Sequence, residues 1–299
     1  MGKNLEIIGV QMDMGASKRG VSMGPSAIRY GGIVDGLREQ GHTVIDRGDI
    51  IPLPEGKSRP NMNCFDQVVD INKRLYENVT EILECGHFPI TLGGDHSIAA
   101  GSISAVSKFY EDKGGIGVIW IDAHGDWNDD NSTPSGNMHG MPFSAVCGHG
   151  PNAMVDYGQG PVFVDVKKCV QIAGRDIDTI ERVRMKEAGV TVFPINVIDQ
   201  IGMNEVIRQA IEIASNGTAG FHLSFDIDAL TPEVAPGTGT TVHSGLTARE
   251  AFLAVETIAE SGKLLSMDMV EVNPILDERN KTGILASELV QSALGKVVF

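Results

Sequence analysis

Acidic and imidazole side chains recur in three short segments of the chain. The segments are Gly93-Gly94-Asp95-His96, Asp122-Ala123-His124-Gly125-Asp126 and Asp226-Ile227-Asp228. Each segment follows an apolar run typical of a buried β-strand. Carboxylates gathered at the ends of such strands would repel one another and resist burial unless a cation lay among them. Two divalent metal ions would supply that charge, so the three segments together predict one metal site.

Each segment taken alone has a less specific explanation. An Asp-x-Asp pair at the end of a strand is most often a solvated turn or an ion-pair acceptor. The three segments share one kind of location, however, and open α/β sheets form their ligand-binding crevice at the carboxyl ends of the strands. Side chains alternate along a strand, so residues 122, 124 and 126 would share a face if the extended conformation persists beyond the apolar run.

Five short sequences resemble the signature of the arginase branch of the ureohydrolase superfamily. They are Gly93-Gly94-Asp95-His96-Ser97, Asp122-Ala123-His124-Gly125-Asp126, Ser135-Gly136-Asn137-Met138-His139-Gly140, Ser224-Phe225-Asp226-Ile227-Asp228 and Glu271-Val272-Asn273-Pro274. The resemblance begins at Gly9 and covers nearly the whole chain. It implies hydrolysis of the guanidinium group of L-arginine to L-ornithine and urea, with a hydroxide bound by two manganese ions as the nucleophile.

Strand-like runs and helical patterns alternate along the chain. The runs cover residues 5–10, 42–45, 88–92, 115–121, 169–173, 191–194, 220–225 and 263–270, and the helical patterns cover 25–40, 64–84, 98–112, 180–188, 204–215, 248–261 and 279–294. This order requires a parallel sheet with helices on both faces. The resemblance implies an α/β fold of the three-layer α/β/α type around a central parallel eight-stranded sheet. No linker, low-complexity segment or internal repeat divides the chain, which predicts one domain over residues 1–299.

Composition and charge exclude several classes of partner. The net charge of −15 argues against nucleic acid, whose backbone requires clustered Lys and Arg. No apolar stretch is long enough to span a membrane, and no signal-peptide-like segment opens the chain. Four scattered cysteines form no Cys-x-x-Cys pair, so we expect free thiols and a cytoplasmic location. The resemblance adds an expected homotrimer or homohexamer.

The resemblance also assigns ligands to two Mn²⁺ ions per subunit. The first ion takes His96, Asp122, Asp126 and Asp226, and the second takes Asp122, His124, Asp226 and Asp228. A ligand set dominated by hard oxygen donors favours Mn²⁺ over Zn²⁺. Four carboxylates cancel the charge of two divalent ions and a bridging hydroxide leaves −1, which is complementary to a guanidinium.

Three further side chains are candidates for catalysis. In the family, Asp126 carries a proton to the leaving nitrogen, His139 exchanges protons with solvent and Glu271 faces the substrate guanidinium. Without its flanking Ser-Gly-Asn and Gly, His139 would first be interpreted as a loop or helix-flanking histidine, and Glu271 could equally pair with a neighbouring Arg or Lys. The resemblance favours the catalytic interpretation of both.

The segment between Asp126 and His139 determines which guanidino compound is expected. Asn128, Ser135 and Asn137 correspond to positions that hold the α-carboxylate and α-amino group of arginine, and Asp178 corresponds to the carboxylate that receives the α-ammonium. Glu181 and Thr247 match family positions less clearly. They would either contact the substrate or support the residues that do. Agmatinases lack the Ser-Gly-Asn-x-His pattern, so arginine is preferred over agmatine or guanidinobutyrate. A noncatalytic metal-binding oligomer is a third, more distant alternative.

Two positions depart from the family pattern, and one histidine falls outside it. Trp127 occupies a place where relatives usually carry a smaller apolar residue, and His243-Ser244 precede Gly245-Leu246-Thr247 where a second glycine is common. Both departures affect the expected rim of the pocket. His222 shares the parity of Asp226 but lies deeper in its strand, and we interpret it as a core histidine with satisfied hydrogen bonds.

Overall fold

Eight parallel strands form one sheet in the computed structural model, which describes residues 2–296. The strands are β1 (Asn4–Val10), β2 (Thr43–Ile50), β3 (Phe88–Leu92), β4 (Gly117–Ile121), β5 (Cys169–Ile172), β6 (Thr191–Phe193), β7 (Phe221–Asp226) and β8 (Leu264–Val270). Their order across the sheet is β2-β1-β3-β8-β7-β4-β5-β6, and every neighbouring pair is parallel. The predicted α/β class and eight-stranded parallel sheet are confirmed.

Ten α-helices lie within the described residues. They are α1 (Gly24–Tyr30), α2 (Ile33–Glu39), α3 (Phe65–Glu84), α4 (Ala99–Phe109), α5 (Pro142–Val146), α6 (Thr179–Ala188), α7 (Ile195–Ile201), α8 (Met203–Ser215), α9 (Ala248–Ser261) and α10 (Lys281–Ala293). Among residues 2–296, no helix combines the length and the apolar character needed to cross a bilayer.

Two hydrophobic cores occupy opposite faces of the sheet. In β4, Ile119 and Ile121 belong to the core that includes α9 and α10, whereas Val118 and Trp120 belong to the core that includes α3, α4 and α5. This division follows from the period-two alternation of side chains along a strand. Burial of both faces of the sheet gives the three-layer α/β/α architecture expected from the sequence.

The helix predicted over residues 25–40 is two helices in the structure. Gly32, between α1 and α2, has a φ of 86°, a left-handed conformation that interrupts a right-handed helix. A β-carbon at Gly31 would lie 2.8 Å from the carbonyl oxygen of Gly283 in α10, so this break also permits close helix packing. The sequence analysis also missed α5 and α7, because helices of five and seven residues show too little apolar periodicity to be recognised.

The strand order explains why distant segments of the chain meet. Strands β3, β8, β7 and β4 are consecutive neighbours at the centre of the sheet. Because the strands are parallel, the segments that follow them emerge at one edge. The three segments of acidic and imidazole residues and the segment beginning at Glu271 are therefore brought together at that edge.

Candidate metal centre

His96 lies at the centre of a group of carboxylates. It begins a short 3₁₀ turn (His96–Ile98) after β3. Its Nδ1 atom lies 3.1 Å from an oxygen of Asp122, 3.2 Å from one of Asp126 and 3.2 Å from one of Asp226. Ligands bound about 2.1 Å from a metal in octahedral geometry are about 3 Å from their neighbours. The spacing therefore fits a coordination shell.

His124 forms a second group that shares one carboxylate with the first. Its Nδ1 atom lies 3.4 Å from Oδ1 of Asp122 and 3.2 Å from Oδ2 of Asp228. Asp122 thus directs one oxygen towards His124 and the other towards His96. Two metal-binding groups consequently meet at Asp122, as expected of a bridging ligand. Asp226 contacts the first group through Oδ2, while its Oδ1 accepts the backbone N–H of Asp228.

The electrostatics of these side chains indicate that a cation belongs among them. Burial and the charge of Asp122 raise the pKa of Asp126 well above its ordinary value, and burial and the charge of Asp228 do the same to the pKa of Asp226. Burial alone would lower the pKa of His96, but Asp122 and Asp126 raise it to about 9. Without a metal, protons must supply the missing positive charge. The donor set, hard oxygens with two imidazoles, fits two Mn²⁺ ions.

The backbone brings these ligands together by turning rather than by continuing as a strand. Asp126 has a φ of 48°, so the extended conformation assumed in the sequence analysis does not persist after β4. After β7 the chain enters a 3₁₀ turn (Ile227–Ala229) capped by the side chain of Asp226. The predicted meeting of the side chains is correct, but the alternation used to explain it is wrong. Left-handed conformations are strained for residues other than glycine and cluster at functional sites.

Two buried side chains that the sequence analysis did not assign support the ligands. Trp120 donates its indole N–H to Asp122 over 2.9 Å, and its ring stacks on the imidazole of His96 with centroids 4.1 Å apart. Ser224 lies 2.9 Å from the other imidazole nitrogen, Nε2, of His96. Hydrogen bonds of this kind fix the orientation of a ligating ring and direct Nδ1 at the carboxylates. Trp120 lies two residues before Asp122, and Ser224 lies two residues before Asp226. This period-two spacing is the sequence signal that could have identified both residues.

A further buried side chain, that of Asp95, supports the turn that carries His96. Asp95 accepts hydrogen bonds from the backbone N–H groups of Gly15 and Ser97. Burial and the nearby charge of Glu271 raise its pKa to about 6. The sequence analysis included Asp95 in its motif without giving it a role, and the structure makes it the cap of the turn.

Glu271 joins His96 to His139. Its Oε1 atom accepts the backbone N–H of His96 over 2.9 Å and lies 3.1 Å from Nδ1 of His139. Burial alone would lower the pKa of His139, but this contact with Glu271 raises it. Glu271 itself has a φ of 65°, in the left-handed region. Among the described residues, no Arg or Lys pairs with Glu271. The structure therefore does not contain the salt bridge that was the alternative interpretation of Glu271.

A narrow cavity of about 130 Å³ opens above the metal-binding groups. It is lined by His124, Asp126, Asn128, Thr133, Pro134, Ser135, Asn137, His139, Gly140, Asp178, Glu181, Asp226 and Thr240. The volume suits a small metabolite, since sites for drug-sized ligands are larger. We call the six metal ligands together the floor of this cavity, although only His124, Asp126 and Asp226 line it directly. The predicted substrate contacts form its rim.

Glu181 connects the two sides of the rim. One oxygen accepts the backbone N–H of Trp127 over 2.7 Å, and the other accepts that of Asp178 over 3.2 Å. Burial raises the pKa of Glu181 to about 7. Trp127 is fully buried and packs edge-on against Phe143, with centroids 4.9 Å apart, so this larger side chain points into the core rather than into the cavity mouth.

Thr247 is the predicted substrate contact that the structure does not bring to the cavity. It is the exposed N-cap of α9, where its hydroxyl bonds Glu250. Thr240 lines the cavity instead and donates a hydrogen bond of 2.8 Å to Oδ2 of Asp228. The correspondence for Thr247 is therefore wrong. Two threonines seven residues apart in one loop offered no local signal to distinguish them.

The other two expectations about individual residues agree with the structure. His222 is buried between Ser266, 2.7 Å from its Nδ1, and Asp268, 3.0 Å from its Nε2, as a core histidine with both nitrogens satisfied. Ser244 has a φ of 61°, which explains why glycine is common at this place.

Comparison with known proteins places the chain among enzymes of one kind. Residues 3–295 match the model of the arginase family. The chain is 44% identical over 297 residues to an arginase of Brevibacillus brevis and 42% identical over 297 residues to one of Bacillus subtilis, covering 99% of each chain in both alignments. The solved structure of arginase from Bacillus caldovelox superposes with a TM-score of 0.95 at 40% identity, covering 99% of this chain and 100% of that one.

Proposed function

This chain belongs to the arginase family, and on that premise we propose that it hydrolyses L-arginine to L-ornithine and urea. One observation carries the proposal: two metal-binding groups sharing Asp122 form the floor of a cavity whose rim carries Asn128, Ser135, Asn137 and Asp178. A metal floor alone would fit any ureohydrolase. The rim supplies amide and hydroxyl donors together with one carboxylate, as an α-amino acid requires.

Two Mn²⁺ ions are the cofactor. His96, Asp122, His124, Asp126, Asp226 and Asp228 would hold them. When bound, the ions acidify a water molecule and so make a nucleophile available near neutral pH. The carboxylates of the floor balance the positive charge of the ions and leave a site that favours a guanidinium.

The chain itself must provide the protons that the reaction moves. Cleavage of the guanidinium C–N bond releases the ornithine side-chain nitrogen, which needs a proton as it leaves. Asp126 lines the cavity and is the floor carboxylate closest to the substrate loop, since Asn128 follows it two residues later. We assign to Asp126 the transfer of that proton.

His139 would connect the cavity to solvent. Its Nδ1 faces the carboxylate of Glu271, which accepts the hydrogen and so leaves Nε2 to exchange a proton with water or product. Glu271 holds this ring through Oε1 and is buried next to the floor, where it can also orient the substrate guanidinium. The same carboxylate would thus act on the substrate and on the proton carrier.

Recognition of the amino acid end would rest on charge complementarity. Asp178 is exposed at the start of α6 and can receive the α-ammonium, while Asn128, Ser135 and Asn137 can donate to the α-carboxylate. Glu181 acts behind them, because its oxygens are taken by backbone N–H groups. Hydrolysis of agmatine is the rival, because agmatine carries the guanidinium but lacks the carboxylate.

A direct comparison of L-arginine with agmatine tests the proposal. Urea release by the manganese-loaded protein should favour arginine in kcat/KM, with a factor of up to about 10⁴, because agmatine leaves the donors of the rim unpaired. Faster urea release from agmatine would contradict the assignment of arginine and leave the metal site intact. The trimeric or hexameric assembly, the cytoplasmic location and the single domain stay predictions.

A further inference from the structure

We propose that Asn63, on a segment that no sequence motif singled out, is a positioning residue for the α-carboxylate of the substrate. The inference rests on the proposed function. Asn63 does not line the cavity, and we infer that it acts through Asn137, whose amide it orients. It would therefore affect the affinity for α-amino acids without taking part in the chemistry at the metal floor.

Asn63 contacts three consecutive residues of the substrate loop. Its side-chain Nδ2 donates to the carbonyl of Ser135 over 3.1 Å and to Oδ1 of Asn137 over 3.3 Å. Its backbone N–H donates to the carbonyl of Gly136 over 2.8 Å. Gly136 has a φ of 73°, and a β-carbon there would lie 3.2 Å from Nδ2 of Asn63. The substrate loop and the segment of Asn63 therefore pack so closely that a side chain at position 136 would be crowded.

The segment that carries Asn63 is itself fixed. Arg59 and Met62 exchange two backbone hydrogen bonds, of 2.9 and 3.0 Å. Pro60 and Asn61 occupy the centre of this turn, and Asn61 has a φ of 55°, as a type II turn requires at its third position. Met62 is buried in the core below. Asn61 adds a further contact by donating to the backbone carbonyl of Asp130 over 2.8 Å.

The contacts of Asn137 determine which of its atoms the substrate meets. Its Oδ1 accepts from Asn63, and its Nδ2 donates to the hydroxyl of Ser17 over 2.7 Å. An amide nitrogen carries two hydrogens, so one remains for the α-carboxylate. If the amide were reversed, its oxygen would face the hydroxyl of Ser17 and its nitrogen would face Nδ2 of Asn63, so the α-carboxylate would lose a donor. Asn63 opposes this reversal because its Nδ2 can only donate.

The substitution Asn63→Asp tests this role most sharply. A carboxylate has the same shape but only accepts, so it would favour the reversed amide of Asn137 and repel the α-carboxylate. We expect KM for L-arginine to rise about tenfold with kcat changed less than about twofold, and inhibition by L-ornithine to weaken in parallel. Asn204→Asp is the matched control: it makes the same chemical change and adds the same charge at an exposed position in the first turn of α8, outside the cavity.

The outcomes separate this inference from the proposed function. If the wild-type protein releases no urea from arginine, the proposed function fails. If the wild type is active but Asn63→Asp and Asn204→Asp have the same KM and the same ornithine inhibition, the role of Asn63 is overturned. A fall in kcat with an unchanged KM would overturn it too. Asn63→Ala, which removes the donor without adding charge, should raise KM about threefold and decides the question if the aspartate variant does not fold.

Discussion

The floor and the rim of the cavity are built in different ways. The floor, defined as the six predicted metal ligands, lies directly after strands at the centre of the sheet, and its four carboxylates are at most 6% exposed. The rim, defined as residues 128–137 and the first turn of α6, stands on loops and includes exposed side chains such as Ser135 and Asp178. A rigid sheet thus determines the chemistry, and hydrogen bonds between loops determine which molecule reaches it.

The difference has an energetic consequence. Charges buried in the floor interact strongly, and removing one partner leaves the others uncompensated. Contacts of the rim compete with water and are each worth much less. Changes to the floor should therefore abolish activity, whereas changes to the rim should adjust affinity in small steps.

Removal of metal should have the largest effect. Prolonged chelation should reduce urea release by at least about 100-fold, because the ions supply several kcal/mol of transition-state stabilisation. Added Mn²⁺ should restore activity, and metal analysis should find close to two ions per chain. Full activity in a preparation free of metal would contradict the assignment of the floor.

His139 lies where the floor meets the rim, and its substitution should have the next largest effect. His139→Asn should lower kcat about 10-fold or more, because a positioned proton carrier is lost, while metal content stays unchanged. Added imidazole should restore part of the rate. His243→Asn serves as the control, because His243 is 85% exposed and outside the cavity. Equal turnover of the two variants across the pH range would remove His139 from the mechanism.

Asp178 tests the rim by itself. Asp178→Asn keeps the size of the side chain and its preference for a helix N-cap but removes the charge that receives the α-ammonium. Because the site is exposed, we expect kcat/KM for arginine to fall only about fivefold, mostly through KM. Glu187→Gln makes the same chemical change near the other end of α6 and should leave KM unchanged. A fall in metal content of the Asp178 variant would show that floor and rim are not independent.

The sequence predicted the floor better than the rim for a physical reason. Seven of the eight strands were placed to within two residues, because most of them are buried apolar runs. The edge strand β2 was predicted over residues 42–45 but continues to Ile50, because its polar and partly exposed second half shows no apolar run. The ligands follow those strands directly, so a correct sheet brings them together even though Asp126 turns away from the extended conformation. Ser224 was missed because its contact with His96 joins segments 128 residues apart, whereas Trp120, two residues before Asp122, could have been recognised from its spacing.

The rim depends on contacts between segments far apart in the chain. Asn63 and Ser17 bond Asn137 from positions 74 and 120 residues away. No local pattern announces such contacts, and short polar loops are compatible with several conformations. The break between α1 and α2 differs, because the Gly31-Gly32 pair is a local signal for it, and α10 packs against Gly31. Apolar periodicity therefore identifies the scaffold, and tertiary contacts complete the site.

Thr240 and Thr247 give the finest test of the boundary between the floor of the cavity and the start of α9. Thr240 donates to Asp228 inside the cavity, so Thr240→Ala should change kcat/KM by about threefold, the value of one hydrogen bond to a ligand. Thr247 bonds only Glu250 at the start of α9, so Thr247→Ala should leave kinetics unchanged and lower the free energy of unfolding by about 1 kcal/mol, the usual cost of a lost N-cap. Kinetics and denaturant unfolding of both variants would separate the two roles. If Thr247→Ala changed KM while Thr240→Ala did not, the cavity would have to include the start of α9, and the boundary drawn between the two regions would be wrong.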